Sequence, residues 1–130
     1  MEKLTIGRIE SASFPSFNLS DKIVKIDSGA YTSSIDVANT RIEGELLYVQ
    51  FEPNTEEISF LKYKTKRIKS SNGIIQERYI IKGKIIIGNN EFTTPFSLTD
   101  RSGMRYPILL GRKLLNKHFV IDTSKTYLLK

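Results

Sequence analysis

Alternation of apolar and polar residues predicts a chain built mainly of short β-strands. The segments that fit a strand are 4–11, 22–26, 45–53, 57–70, 74–88 and 91–99. Turn-forming residues separate them, as at Pro53-Asn54 and in the run 88–90 (GNN). Many short strands between such turns favour an all-β barrel or sandwich.

One helix interrupts this pattern. Arg112–His118 (RKLLNKH) follows Gly111 and has helical character, whereas the tail 119–129 (FVIDTSKTYLL) returns to strand character. A chain of 130 residues has the size of a single domain and is long enough to bury a core. Because no repeat, low-complexity segment or linker divides it, we expect one domain over 1–130.

The residue inventory excludes several classes of protein. The chain has no cysteine and a single histidine, His118, so a zinc site would depend mostly on carboxylates. The run 83–90 (GKIIIGNN) lacks the Lys and Ser/Thr of a P-loop. No apolar run approaches the roughly 18 residues of a membrane span, and the N-terminus lacks the apolar core of a signal peptide. We therefore expect a soluble, cytoplasmic protein with no cofactor, no metal and no membrane partner.

The net charge of +6 leaves three explanations open. The excess of positive charge is explained by a surface for nucleic acid or a membrane, by a site for an acidic substrate, or by solvated lysines with no binding role. A small basic β-barrel that binds nucleic acid is thus the main alternative function. Tyr48, Phe51, Phe60 and Tyr63 lie in alternating strands and form no obvious stacking platform, which disfavours a nucleic-acid partner.

Asp27 stands apart from the other acidic residues because it follows an apolar strand and precedes Ser28 and Gly29. A carboxylate in such a place must be hydrogen-bonded, paired or functional. In acid–base hydrolysis of a peptide, two carboxylates that share one proton activate a water molecule. A hydroxyl could tie this loop to a partner loop, and a glycine lets backbone amides approach. An ordinary aspartate in a strand-to-turn connection remains the alternative.

A second motif lies downstream, at 106–115 (YPILLGRKLL). An apolar triplet, a glycine, a basic residue and a helix, placed after an Asp-Ser/Thr-Gly-Ala, resemble the retropepsin-like aspartic proteases. In that family the apolar strand passes behind the catalytic loop and the helix packs beneath it. The intervening region 69–99 resembles the family's flap hairpin and following strands, with Ser71-Asn72-Gly73 at the tip.

Nearly the whole chain resembles the bacterial family long labelled "ATP-dependent zinc proteases", often encoded beside ATP-grasp glutamate ligases. One member is described as removing glutamate tails from a ribosomal protein. Three departures stand out: Ser28 replaces the usual Thr, Tyr31 replaces a frequent basic residue, and neither a zinc constellation nor a nucleotide motif supports the label. The hydroxyl at Ser28 is retained, so the chemistry should survive.

The resemblance implies an all-β, retropepsin-like closed barrel with one short C-terminal helix, acting as a homodimer. It implies an aspartic endopeptidase whose dyad is Asp27 of two subunits, with the tail strand 119–129 forming the intersubunit sheet. Asp122–Ser124 (DTS) is a second half-site candidate within one chain, although it lacks the glycine and is more typical of an ordinary strand. A fold of this kind that has lost activity and only binds partners is a further alternative.

The predicted catalytic residues are Asp27, which polarises the water, Ser28, which braces the loop, and Gly29, which gives backbone access. The predicted substrate-binding residues are Ala30, Ser70, Ser71, Asn72, Gly73, Arg78 and Arg101. Arg78 and Arg101 are candidates for holding the carboxylates of a peptide or protein substrate, including a glutamate-tailed one, or else form structural ion pairs. Flanking cations expected around the cleft are Arg67, Lys69 and Arg105. Arg112 is assigned a structural role.

Overall fold

The computed structural model describes residues 2–69, 73–99 and 105–129, with the backbone alone at 68 and 69. The strands are β1 (Leu4–Ile6), β2 (Ile9–Phe14), β3 (Leu19–Ile26), β4 (Ser33–Asp36), β5 (Asn39–Glu43), β6 (Leu46–Gln50), β7 (Ile58–Phe60), β8 (Lys64–Lys69), β9 (Ile75–Ile87), β10 (Asn90–Thr99), β11 (Ile108–Leu110) and β12 (Phe119–Ile121). A 3-10 helix covers Pro15–Phe17 and the α-helix α1 covers Arg112–His118. In the described ranges, no helix has the length and apolar character needed to cross a membrane.

Six of the strands close into a barrel. Neighbouring strands are hydrogen-bonded in the order β10, β4, β11, β3, β2 and β9, and β9 pairs back with β10. β8 extends the sheet beyond β9, with which it forms an antiparallel hairpin. The prediction of an all-β closed barrel with one short C-terminal helix is therefore confirmed.

Several predicted boundaries are corrected. The segment 4–11 is two strands separated at Gly7, where a Cβ atom would lie 2.5 Å from the carbonyl oxygen of Lys125. The segment 57–70 is likewise two strands, β7 and β8. β4 and β5 escaped prediction because β4 (SSID) buries two serines and β5 is mostly exposed, so neither shows apolar alternation.

Aromatic side chains fill the barrel and attach a second sheet to it. Phe14, Phe17 and Phe96 are fully buried, with ring centroids 5.6 Å apart for Phe14–Phe96 and for Phe17–Phe96. Phe51 follows β6 and stacks on Phe17 at 4.6 Å. Each such ring contributes about 1.5–3 kcal/mol through burial. The three-stranded sheet β5–β6–β7 is thereby held against the barrel. Tyr63, after β7, packs against Tyr79 of β9 with ring centroids 5.8 Å apart.

The C-terminal tail is a strand only at its start. β12 pairs in parallel with β1 of the same chain, and the Asp122 N–H donates to the Ile6 carbonyl at 2.8 Å. Residues 122–129 contain no strand and have turns at 123–124 and 128–129, and the Tyr127 N–H donates to the Ile9 carbonyl at 2.9 Å. The prediction of one strand over 119–129 is therefore wrong. Most of the tail is irregular, and its backbone N–H groups donate hydrogen bonds to the barrel of the same chain.

Glu10 anchors this tail from inside the barrel wall. Its side chain is fully buried, and Oε2 accepts hydrogen bonds from the backbone N–H groups of Gly7 and Leu128 at 2.8 and 2.9 Å. Oε1 accepts a third from the N–H of Leu129 at 3.1 Å. Hydrogen bonds to both oxygens compensate for the cost of burying the carboxylate.

Candidate active site

Asp27 lies directly after β3, where the barrel brings two distant chain segments together. β11 is inserted between β3 and β4, parallel to β3 at Leu110↔Ile26 and antiparallel to β4 at Leu109↔Ser34. The Asp27 N–H donates to the Leu110 carbonyl at 2.9 Å. The backbone from which the carboxylate projects is thus held by the downstream motif.

The carboxylate of Asp27 is bound at one oxygen. Oδ1 accepts a hydrogen bond from the Gly29 N–H at 2.9 Å, and the Asp27 carbonyl accepts one from the Ala30 N–H at 3.2 Å. A Cβ at Gly29 would lie 3.2 Å from Oδ1, tighter than most such contacts. Asp27 is half-buried, Ser28 and Gly29 are exposed, and no donor among the described residues reaches Oδ2. The second oxygen is therefore available to a water molecule or to another carboxyl group.

Gly111 allows the start of α1 to approach the loop that follows Asp27. A Cβ at Gly111 would lie 2.8 Å from the Tyr31 carbonyl oxygen and 2.9 Å from that of Ala30. The Gly111 N–H donates to the buried hydroxyl of Ser33 at 3.0 Å. The next two amides of the helix, those of Arg112 and 113, donate to the same two carbonyls at 2.8 Å each. The loop is thus clamped to the start of the helix mainly through backbone groups.

Arg112 adds a side-chain contact to this clamp. Its Nη1 donates to the Ser28 carbonyl at 2.9 Å, and its guanidinium carbon lies 5.8 Å from the centre of the Tyr31 ring. The guanidinium therefore supports the loop, in keeping with the structural role assigned from sequence.

The predicted flap is an antiparallel hairpin of β8 and β9, paired from Lys64↔Ile80 to Lys69↔Ile75. At its tip Gly73 is exposed with φ of +86°, a conformation that favours glycine. Four of the predicted substrate-binding residues lie outside the described residues: Ser70, Ser71, Asn72 and Arg101.

Arg78 lies on β9 directly opposite Lys66 of β8, so both side chains leave the same face of the hairpin. Arg67 lies opposite Glu77 on the other face. The expectation that Arg67 and Arg78 line one cleft together is therefore wrong, because alternation along a strand separates neighbouring side chains. Arg105 is exposed, with its guanidinium carbon 5.5 Å from the centre of the Tyr106 ring.

A pocket of about 1020 Å³ adjoins the loop that follows Asp27. Its lining residues are Tyr31, Thr32, Ser59, Phe60, Leu61, Lys62, Tyr63, Lys64, Lys66, Ile80, Ile81, Lys82, Pro95 and Lys113. Because five of them are lysines, we name it the lysine pocket. Sequence analysis missed it, although the alternation of lysines at 62, 64 and 66 was a visible sign that they share one face.

Asp122, the alternative second carboxylate, is engaged in its own turn. Its Oδ1 accepts hydrogen bonds from the Ser124 hydroxyl at 2.6 Å and from the Ser124 N–H at 3.0 Å. These hydrogen bonds, of which the one from the hydroxyl contributes most, hold the pKa of Asp122 below its usual range. This arrangement favours the ordinary structural interpretation of the DTS motif.

The aromatic residues considered for nucleic-acid stacking are mostly engaged elsewhere. Phe51 and Phe60 pack against Phe17, at 4.6 and 6.0 Å between ring centroids, and Tyr48 lies beneath the guanidinium of Arg41 at 4.2 Å.

Over the described ranges, no three His, Cys, Asp or Glu side chains cluster as metal ligands would.

Comparisons with known proteins agree with the retropepsin-like fold. Residues 5–130 match the model of a family described as the retropepsin-like aspartic endopeptidase RimB. This description names aspartic chemistry, and the zinc and ATP of the older family label have no counterpart in it.

Curated relatives carry a different name. The chain is 36% identical over 139 residues to a "probable alpha-L-glutamate ligase" of Shewanella halifaxensis, which covers 98% of this chain and 30% of that protein. A protein of the same name from Parasynechococcus marenigrum is 26% identical over 135 residues, covering 96% and 29%. This chain therefore spans about 30% of the length of these relatives.

A solved structure has a similar fold over the whole chain. The crystal structure of a Legionella pneumophila protein of unknown function aligns with a TM-score of 0.73 and 25% sequence identity, covering 99% of this chain and 100% of that one.

Proposed function

The chain belongs to the RimB-like family of retropepsin-like aspartic endopeptidases, and we propose that it hydrolyses peptide bonds with Asp27 as its catalytic carboxylate. The observation that carries the proposal is the placement of this side chain. One oxygen is oriented by the Gly29 amide, and no described donor reaches the other. A carboxylate held in this way can accept a proton from an attacking water molecule.

A second carboxyl group is required to complete the reaction. As water attacks the scissile carbonyl carbon, the ionised carboxylate takes its proton and the protonated one donates to the carbonyl oxygen. Collapse of the intermediate breaks the C–N bond, and the leaving nitrogen receives a proton. Two carboxyl groups at close range divide these roles because they cannot both ionise easily.

The second carboxyl group is Asp27 of another copy, which makes the enzyme a homodimer. A two-fold axis beside the exposed Ser28–Gly29 segment would bring the two loops together, with the Ser28 hydroxyls bracing them. Asp122 is a poor substitute, because Ser124 already occupies its Oδ1.

The substrate is a peptide or protein, with acidic or glutamate-tailed chains preferred. Two observations support this preference: the net charge of +6, and the like charges of Lys66 and Arg78 on one face of the flap hairpin. The names of the curated relatives also refer to glutamate.

Asp27→Asn is the decisive variant. Asparagine is nearly isosteric and can still accept the Gly29 hydrogen bond, but it cannot act as a base. Hydrolysis of a fluorogenic oligo-glutamate peptide should fall by at least about 10³-fold, while thermal unfolding stays unchanged. Asp122→Asn is the matched control and should remain active.

Full activity of Asp27→Asn would refute the proposal, and selective loss in Asp122→Asn would move the second carboxyl group into the same chain. Sedimentation should report twice the 14.9 kDa mass of one chain. A dimer that binds the peptide without cleaving it would instead indicate a binding module.

A further inference from the structure

Ser33 places a hydroxyl in the interior of the barrel at the point where the loop after Asp27 ends. It is the first residue of β4 and is 1% exposed. Its neighbour on β10 is the fully buried Phe96, and the next residue of β4 on the same face is the buried Ile35. A hydroxyl in such apolar surroundings is unfavourable unless it is hydrogen-bonded. The hydrogen bond that it forms therefore accounts for a serine at this position.

This hydroxyl binds one end of the peptide group between Leu110 and Gly111. The Gly111 N–H donates to Ser33 Oγ at 3.0 Å, and this hydrogen bond is buried. At the other end of the same peptide group, the Leu110 carbonyl accepts the hydrogen bond from the Asp27 N–H at 2.9 Å. A single peptide group thus connects the buried hydroxyl with the backbone of Asp27.

Two properties of a peptide group transmit an effect from one end to the other. The group is planar and rigid, so a rotation that moves the N–H also moves the carbonyl oxygen. Hydrogen bonds in a chain polarise one another, so a bond at the N–H strengthens the bond at the carbonyl. Loss of the Ser33 hydroxyl would therefore loosen or turn the carbonyl that holds the Asp27 amide.

The other contacts of the loop do not replace this connection. Arg112 and Lys113 donate to carbonyl groups later in the loop. Within the described part of the chain, the bond to the Leu110 carbonyl is the only one that the Asp27 N–H donates. The orientation of the carboxylate depends on this backbone, because Oδ1 must also meet the Gly29 amide two residues further on.

We propose that Ser33 is a positioning residue for Asp27. Its hydroxyl orients the Leu110–Gly111 peptide group, and through that group the backbone from which the carboxylate projects. This role rests on the proposed function only in taking Asp27 as the catalytic residue. Ser33 itself touches no substrate, because its side chain is buried in the barrel. Its loss should therefore slow the chemical step and leave substrate binding nearly unchanged.

Amide hydrogen exchange, followed by NMR, tests this connection without a substrate. The reference is the Ile26 amide, which donates to the Arg8 carbonyl at 2.9 Å and not to the Leu110–Gly111 peptide group. In Ser33→Ala, the exchange rate of the Asp27 amide relative to that of Ile26 should rise about tenfold, since local opening at Asp27 becomes easier. A general loss of stability would speed both amides and leave their ratio unchanged.

Thr99→Val is the matched control for this measurement. It also removes a buried hydroxyl, one that donates to the Ile35 carbonyl at 3.4 Å and has no contact with the Leu110–Gly111 peptide group. Its exchange ratio should equal that of the parent. Ser33→Cys, which supplies a weaker acceptor, should lie between Ser33→Ala and the parent, and it decides the test where Ser33→Ala does not fold.

Peptide hydrolysis is the second measurement. Ser33→Ala should lower kcat about 10- to 100-fold, the effect of a small misplacement of a catalytic group, and change KM less than about threefold. Ser33→Thr keeps a hydroxyl and should restore most of the rate, whereas Thr99→Val should keep the kcat of the parent. Thermal unfolding checks that each variant is folded at the temperature of measurement.

A folded Ser33→Ala or Ser33→Cys protein with the exchange ratio of the parent would overturn the proposal. An equal loss of kcat in Thr99→Val would also overturn it, because any lost buried hydrogen bond would then have the same effect. The exchange ratio requires no hydrolysis, so a failure of this proposal is distinguishable from a failure of the peptidase proposal.

Discussion

Two carboxylates near the start of the chain, Glu10 and Asp27, have opposite surroundings. Glu10 is fully buried, and three backbone N–H groups donate to its two oxygens. Asp27 is half-buried, and one backbone N–H donates to one of its oxygens. The first side chain is saturated by its own chain, and the second retains an oxygen that no described donor reaches.

This difference separates a structural acid from the acid that we propose as catalytic. Every hydrogen bond of Glu10 connects the barrel to Gly7 or to the tail, so the side chain holds two segments in place. Asp27 is itself held in place, through backbone contacts around Gly111, and its carboxylate supports little else. Loss of Glu10 should therefore affect stability, whereas loss of Asp27 should affect activity.

Glu10→Ala should have the largest effect on stability. Three buried or partly buried N–H groups would lose their acceptor, at a cost on the order of 2–4 kcal/mol of unfolding free energy. Urea denaturation of the variant measures this loss, and Glu45→Ala, at an exposed residue, should remain within about 0.5 kcal/mol of the parent. A Glu10→Ala protein as stable as the parent would show that the tail does not depend on this side chain.

Gly111→Ala tests whether Asp27 depends on the packing around it. The new methyl group would press on the carbonyls of Ala30 and Tyr31, and we expect a loss of about 1–3 kcal/mol together with most of the peptidase activity. Gly44→Ala is the control, because its φ of +61° carries strain but no atom lies within 4 Å of the new Cβ. It should lose about 1 kcal/mol and keep its activity. Full activity of Gly111→Ala would mean that the loop tolerates displacement.

The smallest expected effect on stability concerns the ion pair between the exposed carboxylate of Glu57 and Arg41. Side-chain hydrogen bonds from Arg41 hold the pKa of Glu57 below its ordinary value of 4.5. A lowered pKa in the folded state stabilises the protein above pH 4.5, and this contribution is lost as the pH falls through the folded-state pKa. Glu57→Gln should therefore lower the Tm slightly at neutral pH, and the difference should disappear in acid.

Glu56→Gln, an exposed neighbour with no ion pair among the described residues, is the control for this measurement and should show no such pH-dependent difference. A Tm difference between Glu57→Gln and the parent that persists unchanged into acid would show that the ion pair is not its source.

Sequence analysis singled out Asp27, the proposed catalytic acid, but not Glu10, the structural one. Asp27 was recognisable because the carboxylate ends an apolar strand and is followed by a hydroxyl and a glycine. Glu10 lies within the alternating segment 4–11, where the pattern gives no sign that its partners are Leu128 and Leu129. Such partners depend on contacts between the two ends of the chain, which periodicity does not encode.

Local residue order therefore determined most strands, the helix Arg112–His118 and the loop at Asp27, because alternation, turn residues and short motifs act over a few neighbouring residues. Only the tertiary structure decided that β11 passes between β3 and β4, that the tail turns back onto Glu10, and that lysines from distant segments surround one pocket. These features arise from long-range pairing and from the faces to which alternating side chains project. For the six barrel strands both are set when the barrel closes, since closure fixes their registers together.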